Sequence, residues 1–517
     1  MLYRLSFLIA SLFALHAAAG LPDSLLRKKM SYPDYIFLHN VQRGSDNPTA
    51  ISQEALNSVG SIAARYRFMD GDFHAPDAAG IQKSFDASFY GIKKLEKVAF
   101  EGILSYSNTS DRDRHWNSTL FVSPDNPFVI GDSIPGNFGI EKFHLNGGFS
   151  IKATRNLHVA LRANFIVGSS ANQTDPRPEV DGMRFALNPG ISYQLGRWTA
   201  GLSGNIEWLS ESAEYTVVRS TDGTHYVFLF HGLSAPIAKN AIGYQRKYSG
   251  TAGKGALQLT WKGNDLQNHF EASYMQGKEE AEDGGSAEKY KGGKYEAKSV
   301  AVADRFMIIR SKKTHNIGMQ LNYRQVDGTS YQQQQQTTPD GNIYWNVISS
   351  AICHKSDFTD IAISYRFDAL TNEGIPHFTA GAEMGFYRQQ TTHYSELYRQ
   401  EFTSAFAKVF TAKNLHVKKF DLKIGVDAAY ATRLSDENKI ESSKITERLF
   451  TPKFEFLSAD RLSASIRVSL FHPLSIKTFH AAIGGFASYR YDCYIGNFKS
   501  FDATARHSVE AGLQLVF

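Results

Sequence analysis

Residues Arg197–Leu209 read RWTAGLSGNIEWL, and apolar and polar side chains alternate along this stretch with a period of two. Strict alternation over this length is typical of a β-strand with one apolar and one polar environment. The apolar face carries Trp198, Ala200, Leu202, Gly204, Ile206 and Trp208, and the other face carries Arg197, Thr199, Gly201, Ser203, Asn205 and Glu207. The stretch therefore predicts a long strand with two chemically different faces.

Segments of the same kind recur from Val59 to the end of the chain. Strands of globular proteins usually have about 5–6 residues, whereas strands that cross a membrane need about 9–11. The pattern predicts an all-β chain that forms a transmembrane antiparallel β-barrel. Trp198 and Trp208 would lie roughly 25 Å apart along the membrane normal, which indicates an aromatic girdle at the two interfaces. Two ordinary core tryptophans are the alternative.

The connections between these segments alternate in length. Short ones such as Thr154–Asn156 and Ser311–Lys313 alternate with long polar ones such as Ser210–Thr251 and Asp327–Asp357. Bacterial outer-membrane barrels have short periplasmic turns, long outer loops and an even number of strands. Nineteen candidate strands can be marked, one of them beginning near Thr446, so at least one is wrong. We predict about 18 strands, with 16 to 20 open.

The chain ends RHSVEAGLQLVF, an alternating strand whose last residue is Phe517. This ending resembles the assembly signal of outer-membrane β-barrel proteins of Gram-negative bacteria. The aromatic-rich strands and the stretch Ser45–Ala50 (SDNPTA) most resemble an uncharacterised barrel family of the Bacteroidota. A similar Asn-Pro element precedes the barrel in fatty-acid-transporter-like proteins, although Thr49 stands here where those proteins usually have alanine. The resemblance implies an outer-membrane location, with membrane lipid and the barrel-assembly machinery as partners.

The first twenty residues, MLYRLSFLIASLFALHAAAG, place Arg4 before an apolar run that ends at Leu15. This arrangement is typical of a secretory signal peptide, residues 1–19, followed by Sec-type export. A membrane anchor is the alternative, although the run is shorter than the roughly 20 residues of a spanning helix. Residues 20–58 then precede a barrel predicted over residues 59–517. We interpret this segment as either a periplasmic tail or a small hatch in the barrel mouth.

Composition and motifs argue against several functions. The formal net charge of +5 over 517 residues gives no reason to expect a nucleic-acid partner. Two cysteines exclude a disulfide scaffold, and the histidines lack the spacing of metal ligands. The sequence contains no HExxH motif and no complete phosphate-binding loop. We therefore predict no enzymatic activity, no catalytic residues, no cofactor and no metal site.

The polar strand faces should point into the barrel interior. The candidate residues there are Arg162, Glu207, Arg324, Arg366, Asp421, Lys423, Asp427, Arg467 and Glu510. They could line a polar solute route, or form a wall of paired charges around a plugged or water-filled interior. Both signs of charge are present, so these residues predict no preference for anions or cations.

Fold-level analogy favours a porin-like channel or transport component for an unidentified solute. A transport or surface lipoprotein is a candidate partner. The alternatives are a surface-exposed interaction or assembly protein anchored by the barrel, and a hydrophobic-solute channel that resembles the fatty-acid transporters.

Both cysteines are expected in loops on the outer side of the membrane. Cys353 falls in the predicted loop before Phe358, and Cys493 follows a strand predicted to begin near Thr478. Pairing is chemically allowed on that side, so a disulfide between Cys353 and Cys493 is one expectation. Two unpaired thiols in distant loops are the alternative.

Overall fold

The computed structural model describes residues 23–219, 224–284, 289–337, 339–340, 343–417, 420–476, 479–496, 498–501 and 504–517. The predicted signal peptide lies outside the described residues. In the described part of the chain, eighteen antiparallel strands close into a barrel. The first strand pairs with the last, from Ser61 opposite Val516 to Asp70 opposite His507. The prediction of an all-β antiparallel barrel with about 18 strands is confirmed.

The barrel strands are numbered in chain order. The first nine are β1 (Ser58–Asp70), β2 (Ile81–Lys94), β3 (Val98–Arg114), β4 (Gly136–Lys152), β5 (Leu157–Asn172), β6 (Arg177–Leu195), β7 (Trp198–Thr216), β8 (Gln245–Lys262) and β9 (Leu266–Asp283). The others are β10 (Tyr290–Arg310), β11 (Lys313–Thr337), β12 (Ile343–Leu370), β13 (Pro376–His393), β14 (Tyr398–Val417), β15 (Phe420–Lys439), β16 (Arg461–Ile476), β17 (Phe479–Tyr494) and β18 (Ala505–Val516). Each strand pairs with its neighbours in the chain, so the topology is up-and-down.

The two ends of the barrel differ. We call the end at which β1 begins and β18 finishes the terminal end, and the opposite end the loop end. At the loop end a small sheet forms from Ile130–Gly131, Tyr226–Leu229 and Ile237–Asn240. The helices before β1 are α1 (Asp23–Met30), α2 (Tyr32–His39) and a 3₁₀ turn over Pro48–Gln53. Among the described residues, no helix is both long enough and apolar enough to cross a membrane.

Two sequence-based expectations about the loop end are wrong. The long loop expected over Asp327–Asp357 is instead a paired hairpin of β11 and β12, with Thr337 opposite Ile343. The alternation weakens there because neither face of a projecting hairpin needs to be apolar.

The candidate strand near Thr446 is also wrong. Residues Thr446–Phe450 form a π-helical turn that continues as α3 (Thr451–Ser458). Pro452 occupies the first turn of this helix, where its missing N–H costs nothing, whereas it would interrupt a strand ladder. Removing this segment from the nineteen candidates leaves the even number that the closed barrel contains.

Candidate functional site in the barrel interior

The N-terminal segment, residues 23–57, lies inside the barrel. The hydroxyl of Tyr32 is 3.1 Å from that of Tyr90 on β2, and the Asn47 side chain donates to the carbonyl of Ile191 on β6. Further hydrogen bonds join the segment to β8, β9, β10, β12 and β15 through Gln258, Glu271, Arg305, Arg366 and Lys423. A segment that bonds to strands all round a closed ring must lie within it. These contacts place the described part of the segment in the interior, and its role as a hatch or a periplasmic tail stays a prediction.

Asn47 fixes the segment to the wall. Its Oδ1 accepts hydrogen bonds from the backbone N–H (3.0 Å) and the hydroxyl (2.8 Å) of Thr49, which closes the Asn-Pro-Thr turn. Its Nδ2 donates to the Ile191 carbonyl (3.0 Å) and to Oε1 of Gln258 (3.1 Å). A Cβ atom at Gly201 would lie only 2.8 Å from this Nδ2. The Asn-Pro element noticed in the sequence is therefore a docking turn, and a glycine on β7 leaves room for it.

Asp34 on α2 is a charged contact of the segment. Its carboxylate accepts hydrogen bonds from Arg366 on β12 (3.1 Å) and from Lys423 on β15. Burial acts to raise the pKa of Asp34, but the two cations outweigh burial and hold the pKa below its usual value. Arg366 also pairs with Asp368 at 2.8 Å. Helix α2 is thus held to two separate strands by charge.

A cavity of about 1,090 Å³, the lower cavity, lies between the N-terminal segment and the wall. Its wall belongs mainly to β1–β5 and β13–β18, opposite the strands that hold Asn47. Lining side chains include Arg65, Tyr90, Glu101, Arg162, Lys423 and Arg467, with Tyr32 and Glu54 of the segment. The volume lies slightly above the usual range for small-molecule sites, about 300–1,000 Å³. The lower cavity is therefore large enough to hold a small polar solute.

A chain of hydrogen bonds connects the segment to this wall. The Tyr32 hydroxyl donates to Glu54 (2.9 Å) and can accept from the Tyr90 hydroxyl (3.1 Å). Tyr90 also lies 3.4 Å from Oε1 of Glu101, and its single hydroxyl proton serves one of these two partners at a time. Glu101 in turn pairs with Arg162 on β5 at 3.2 Å. Burial raises the pKa of Glu54 to about 7, and the negative charge of Glu101 acts in the same direction. The raised pKa predicts that the docked segment favours the protonated form of Glu54.

A second inserted element comes from the loop end. The inner loop, residues 115–135 between β3 and β4, is held by carboxylates of β7 and β9. Glu211 on β7 accepts hydrogen bonds from the backbone N–H groups of Leu120 (3.1 Å), Phe121 and Val122 (3.2 Å). Glu279 on β9 accepts from the backbone N–H of Ser123 at 3.1 Å. The inner loop therefore uses its backbone donors as a docking surface for barrel carboxylates.

Arg246 on β8 makes the most buried of the described ion pairs. Its side chain is fully buried and pairs with Asp283 on β9 through two bonds of 2.6 and 2.7 Å. It also donates to the carbonyl of Phe128 in the inner loop (3.0 Å), which the Tyr248 hydroxyl meets at the same distance. The pair therefore anchors the inner loop from inside an apolar cluster.

Apolar clusters cover the loop end. One joins Trp116, Phe230, Leu449 and Phe450, from the inner loop, the loop after β7 and the turn before α3. Another joins Phe73, Ala459, Tyr494 and Phe501. The loops that carry these residues are thus packed against one another, whereas the β11–β12 hairpin projects beyond its neighbouring strands.

A smaller cavity of about 410 Å³, the upper cavity, remains at the loop end among residues that include Met69, Gln82, Asp111, Arg114, Phe456 and Arg506. On β1, Ser61, Ala63 and Arg65 line the lower cavity and Met69 lines the upper one. Arg67 stands between them and lines neither. The two cavities therefore lie one above the other along the same strand.

All nine interior residues predicted from sequence have a polar partner. Arg162 pairs with Glu101, Glu207 with Arg184, Arg324 with Asp125, Arg366 and Lys423 with Asp34, and Arg467 with Glu510, while Asp421 contacts His416 and Asp427 contacts Ser465. The structure joins Arg366 to Lys423 through Asp34, and Arg467 to Glu510. The other predicted interior residues lie on separate strands around the ring.

Sequence reasoning missed several interior residues. Arg65 and Arg67 alternate with apolar residues in SIAARYRFMD, so their position was readable from the same pattern. Asp34 and Asp125 carry no such signal, because they lie in inserted segments rather than in strands.

Trp198 and Trp208 lie on the outer face of β7, 48% and 39% exposed, with the half-exposed Leu202 between them. Each tryptophan contacts an aromatic ring of a neighbouring strand, Trp261 at 6.5 Å and Phe185 at 5.7 Å. On the inner face, Ser203 is buried because Gln258 and the N-terminal segment cover it. The membrane-interface role of Trp198 and Trp208 remains a prediction.

The expected disulfide is wrong, because Cys353 and Cys493 are both free. Cys353 lies within β12, not in a loop, and its thiol donates to the carbonyl of Gly328 (3.4 Å). Cys493 lies within β17, opposite Leu462 and Ala505. Five steps around the ring separate the two strands, and a disulfide needs Cα atoms within about 7 Å.

Comparison with known proteins gives one family match. The model of DUF6850, described as a family of unknown function, matches residues 48–517. No curated protein sequence matches the chain. Similar solved structures include BauA, the ferric preacinetobactin receptor from Acinetobacter baumannii, at 9% identity and a TM-score of 0.38 over 90% of this chain and 80% of that chain. They also include the outer membrane transporter YddB from Escherichia coli (9% identity, TM-score 0.40, 90% and 81% covered) and the RagAB peptide transporter (6%, 0.39, 89% and 86%).

Proposed function

The chain belongs to the DUF6850 family, and we propose that it is an outer-membrane channel or transport component for a small polar solute. The barrel supports an outer-membrane location, because only helices and closed barrels satisfy the backbone in lipid. The outer face of β7 supports it further, since Trp198, Leu202, Ile206 and Trp208 are all exposed there. Such a barrel would contact membrane lipid and the barrel-assembly machinery, and the signal peptide, residues 1–19, would direct Sec-type export.

The observation that carries the proposal is the lower cavity beside the N-terminal segment. Asn47 and Ser45 of the segment form hydrogen bonds with residues of β6, β8 and β9. The lower cavity runs along the opposite half of the wall. The upper cavity lies on that same half. This arrangement supports a route along β1–β3 and β16–β18, which the inserted segment narrows rather than fills.

The lining supports a polar solute. Arg65, Glu101, Arg162, Lys423 and Arg467 all line the lower cavity, and burying an apolar molecule among such groups would strip their hydration without replacing it. The hydrophobic-solute channel suggested by resemblance to the fatty-acid transporters is therefore the weaker alternative.

We further propose that the N-terminal segment is a hatch whose release widens the route. Its contacts with β6, β9 and β12 include hydrogen bonds and ion pairs, which can exchange for water more easily than an apolar core. Its apolar contacts with Val59, Ile92 and Ala99 lie on β1–β3, and release of the segment must break these as well. A transport or surface lipoprotein partner would be one means of releasing or covering it.

Conductance of the purified barrel in a planar bilayer tests the proposal. We expect small currents from the wild type and larger ones from the double variant Ser45→Ala, Asn47→Ala, which loses the docking hydrogen bonds. Ser52→Ala is the control, because its hydroxyl bonds only to Thr49 within the segment. If neither the wild type nor the double variant conducts while both are folded, the channel function is wrong.

Orientation can be tested separately. We propose that the loop end faces outside and the terminal end faces the periplasm. An epitope tag inserted after Arg219, between β7 and β8, should be accessible to antibody on whole cells. Accessibility only after the outer membrane is ruptured would contradict this orientation.

The projecting hairpin of β11 and β12 favours a second candidate function, a surface-interaction protein anchored by the barrel. Beyond Thr329 and His354 the hairpin has no partner strand on either side among the described residues, and unpaired strand edges can recruit another chain. Removing residues 332–349 should leave conductance unchanged under the channel proposal. If this deletion abolishes binding of a partner protein at the cell surface and leaves conductance unchanged, the interaction function is supported.

A further inference from the structure

Three arginines stand at the junction of the two cavities. Arg65 on β1 and Arg467 on β16 line the lower cavity, and Arg67 lies on β1 between Arg65 and Met69, which lines the upper cavity. In the strand register, Arg67 is opposite Glu510 on β18, which is opposite Ser488 on β17, and Ser488 is opposite Arg467. We call Arg65, Arg67 and Arg467 the arginine row.

The row has more cations than carboxylates. Glu510 accepts two hydrogen bonds from Arg67 (3.1 and 2.9 Å) and a longer contact from Arg467 (3.4 Å). Arg65 pairs with Asp86 on β2 at 3.2 Å. Three guanidinium groups therefore share two carboxylates, and Arg467 retains most of its donors for another partner.

In these ion pairs the arginine side chain is more exposed than the carboxylate that it pairs with. The side chain of Arg467 is 63% exposed, whereas that of Glu510 is 9% exposed. The same order holds for Arg65 and Asp86, at 44% and 17%. It holds again one step nearer the loop end, where Arg490 is 53% exposed and Asp492 is 22% exposed. The carboxylates lie against the wall and the guanidinium groups project into the interior.

We infer that the arginine row binds the anionic group, a carboxylate or a phosphate, of the solute that passes between the two cavities. This inference rests on the proposed channel function and names its substrate class. Guanidinium groups bind both oxyanions through paired N–H donors. Because each arginine keeps a carboxylate behind it, the positive field is partly neutralised, which lets a bound anion leave again.

Ion selectivity tests the inference. Under a KCl gradient, the reversal potential of the wild type should show a preference for chloride over potassium. The double variant Arg65→Gln, Arg467→Gln should reduce the permeability ratio several-fold. Arg388→Gln is the matched control, since Arg388 is an exposed arginine (51%) paired with a shielded glutamate, Glu401, but it lies on the outer face. A cation-selective wild type, or an unchanged ratio in the double variant, would overturn the inference.

Anion binding provides a readout that does not need conduction. Calorimetric titration of the detergent-solubilised barrel with inorganic phosphate, and separately with succinate, should show binding that the double variant weakens about tenfold, the loss of roughly one charge-assisted hydrogen bond. Binding of one probe only would identify which oxyanion the row takes. Arg467→Lys should keep the chloride preference but weaken phosphate binding, because lysine lacks the planar fork.

These outcomes separate the two proposals. Arginine-dependent anion binding without any conductance would refute the channel and leave the anion site standing. Conductance without arginine-dependent binding or selectivity would keep the channel and refute the anion site. Heat-modifiable migration of every variant establishes that it is folded.

Discussion

Gly60 and Phe517 close the barrel by exchanging two backbone hydrogen bonds. The Gly60 N–H donates to the Phe517 carbonyl at 2.8 Å, and the Phe517 N–H donates to the Gly60 carbonyl at 2.9 Å. The aromatic ring of Phe517 occupies the space that a side chain at position 60 would need, because a Cβ atom there would lie 2.3 Å from the ring. The last residue of the chain therefore completes the seam between β18 and β1.

Replacement of Gly60 by valine should weaken this seam. The added side chain collides with the Phe517 ring, and such overpacking typically costs about 1–3 kcal/mol. The heat-modifiable folded fraction after expression should fall, as it should after removal of Phe517. Gly139→Val is the control, since nothing lies within 4 Å of the Cβ position of Gly139. Equal folded fractions for the two variants would contradict the role of the seam.

An arginine in place of Leu202 tests the lipid-facing surface. Leu202 is half exposed midway between Trp198 and Trp208, and a cation at the bilayer midplane of a barrel costs about 2–4 kcal/mol. Urea unfolding in vesicles should show this loss. Ser88→Arg is the control, because Ser88 lines the lower cavity. Comparable losses at both positions would refute the assignment of the two faces.

Substitution of Asn47 by alanine should loosen the N-terminal segment. The variant loses the hydrogen bonds to Ile191 and Gln258, which are worth about 0.5–1.5 kcal/mol each. Limited proteolysis of the purified barrel should cleave before β1 faster than in the wild type. Ser52→Ala should be cleaved at the wild-type rate.

The docking of the segment should also weaken as the pH rises from about 5 to 8. The pKa of Glu54 is raised by burial from 4.5 to about 7, so the docked carboxyl keeps its proton after the undocked one has lost it. The free-energy cost of docking is absent below pH 4.5 and complete above about 7, and it reaches at most about 3.5 kcal/mol because each pKa unit corresponds to about 1.4 kcal/mol.

Proteolysis before β1 across this pH range measures the effect. Glu54→Gln should abolish the dependence, because glutamine does not titrate. The lowered pKa of Asp34 has the opposite sign: its stabilising charge is present above its usual value of 3.8 and is lost below it, outside this window. A wild-type cleavage rate that falls between pH 5 and 8 would contradict the prediction.

Replacement of Asp283 by asparagine should release the inner loop. It leaves the fully buried Arg246 without its carboxylate, and breaking a buried ion pair in this way costs about 3–5 kcal/mol. Protease sensitivity within residues 115–135 should rise sharply. Glu280→Gln, which removes an exposed pair with Lys278, should have little effect because surface pairs contribute about 0–1 kcal/mol.

The barrel could be predicted from sequence because the alternation of each strand is a local property. The two faces of β7 and the inward position of Arg65 follow from the two-residue period of a β-strand. The contacts that fill the interior are not local. Glu211 meets the backbone of residues 120–122 from a position 89 to 91 residues away in the chain, and only the ring geometry brings them together.

The dependence on non-local contacts also explains the wrong predictions for the segment near Thr446 and for Cys353. The segment near Thr446 has a strand-like composition, but it is helical, with Pro452 in the first turn of α3, and the covering loops supply its apolar partners. The sequence predicts a loop at Cys353 because the alternation weakens along the β11–β12 hairpin, which projects beyond its neighbouring strands.

The contacts of Asp34 have a consequence for the order of folding. Asp34 is translated early, yet its partner Lys423 follows 389 residues later, and Arg366 follows 332 residues later. Loop-closure entropy makes such distant contacts slow to form unaided. The segment can therefore be held by both cations only after β12 and β15 have formed, so its docking is a late event that depends on nearly the whole chain.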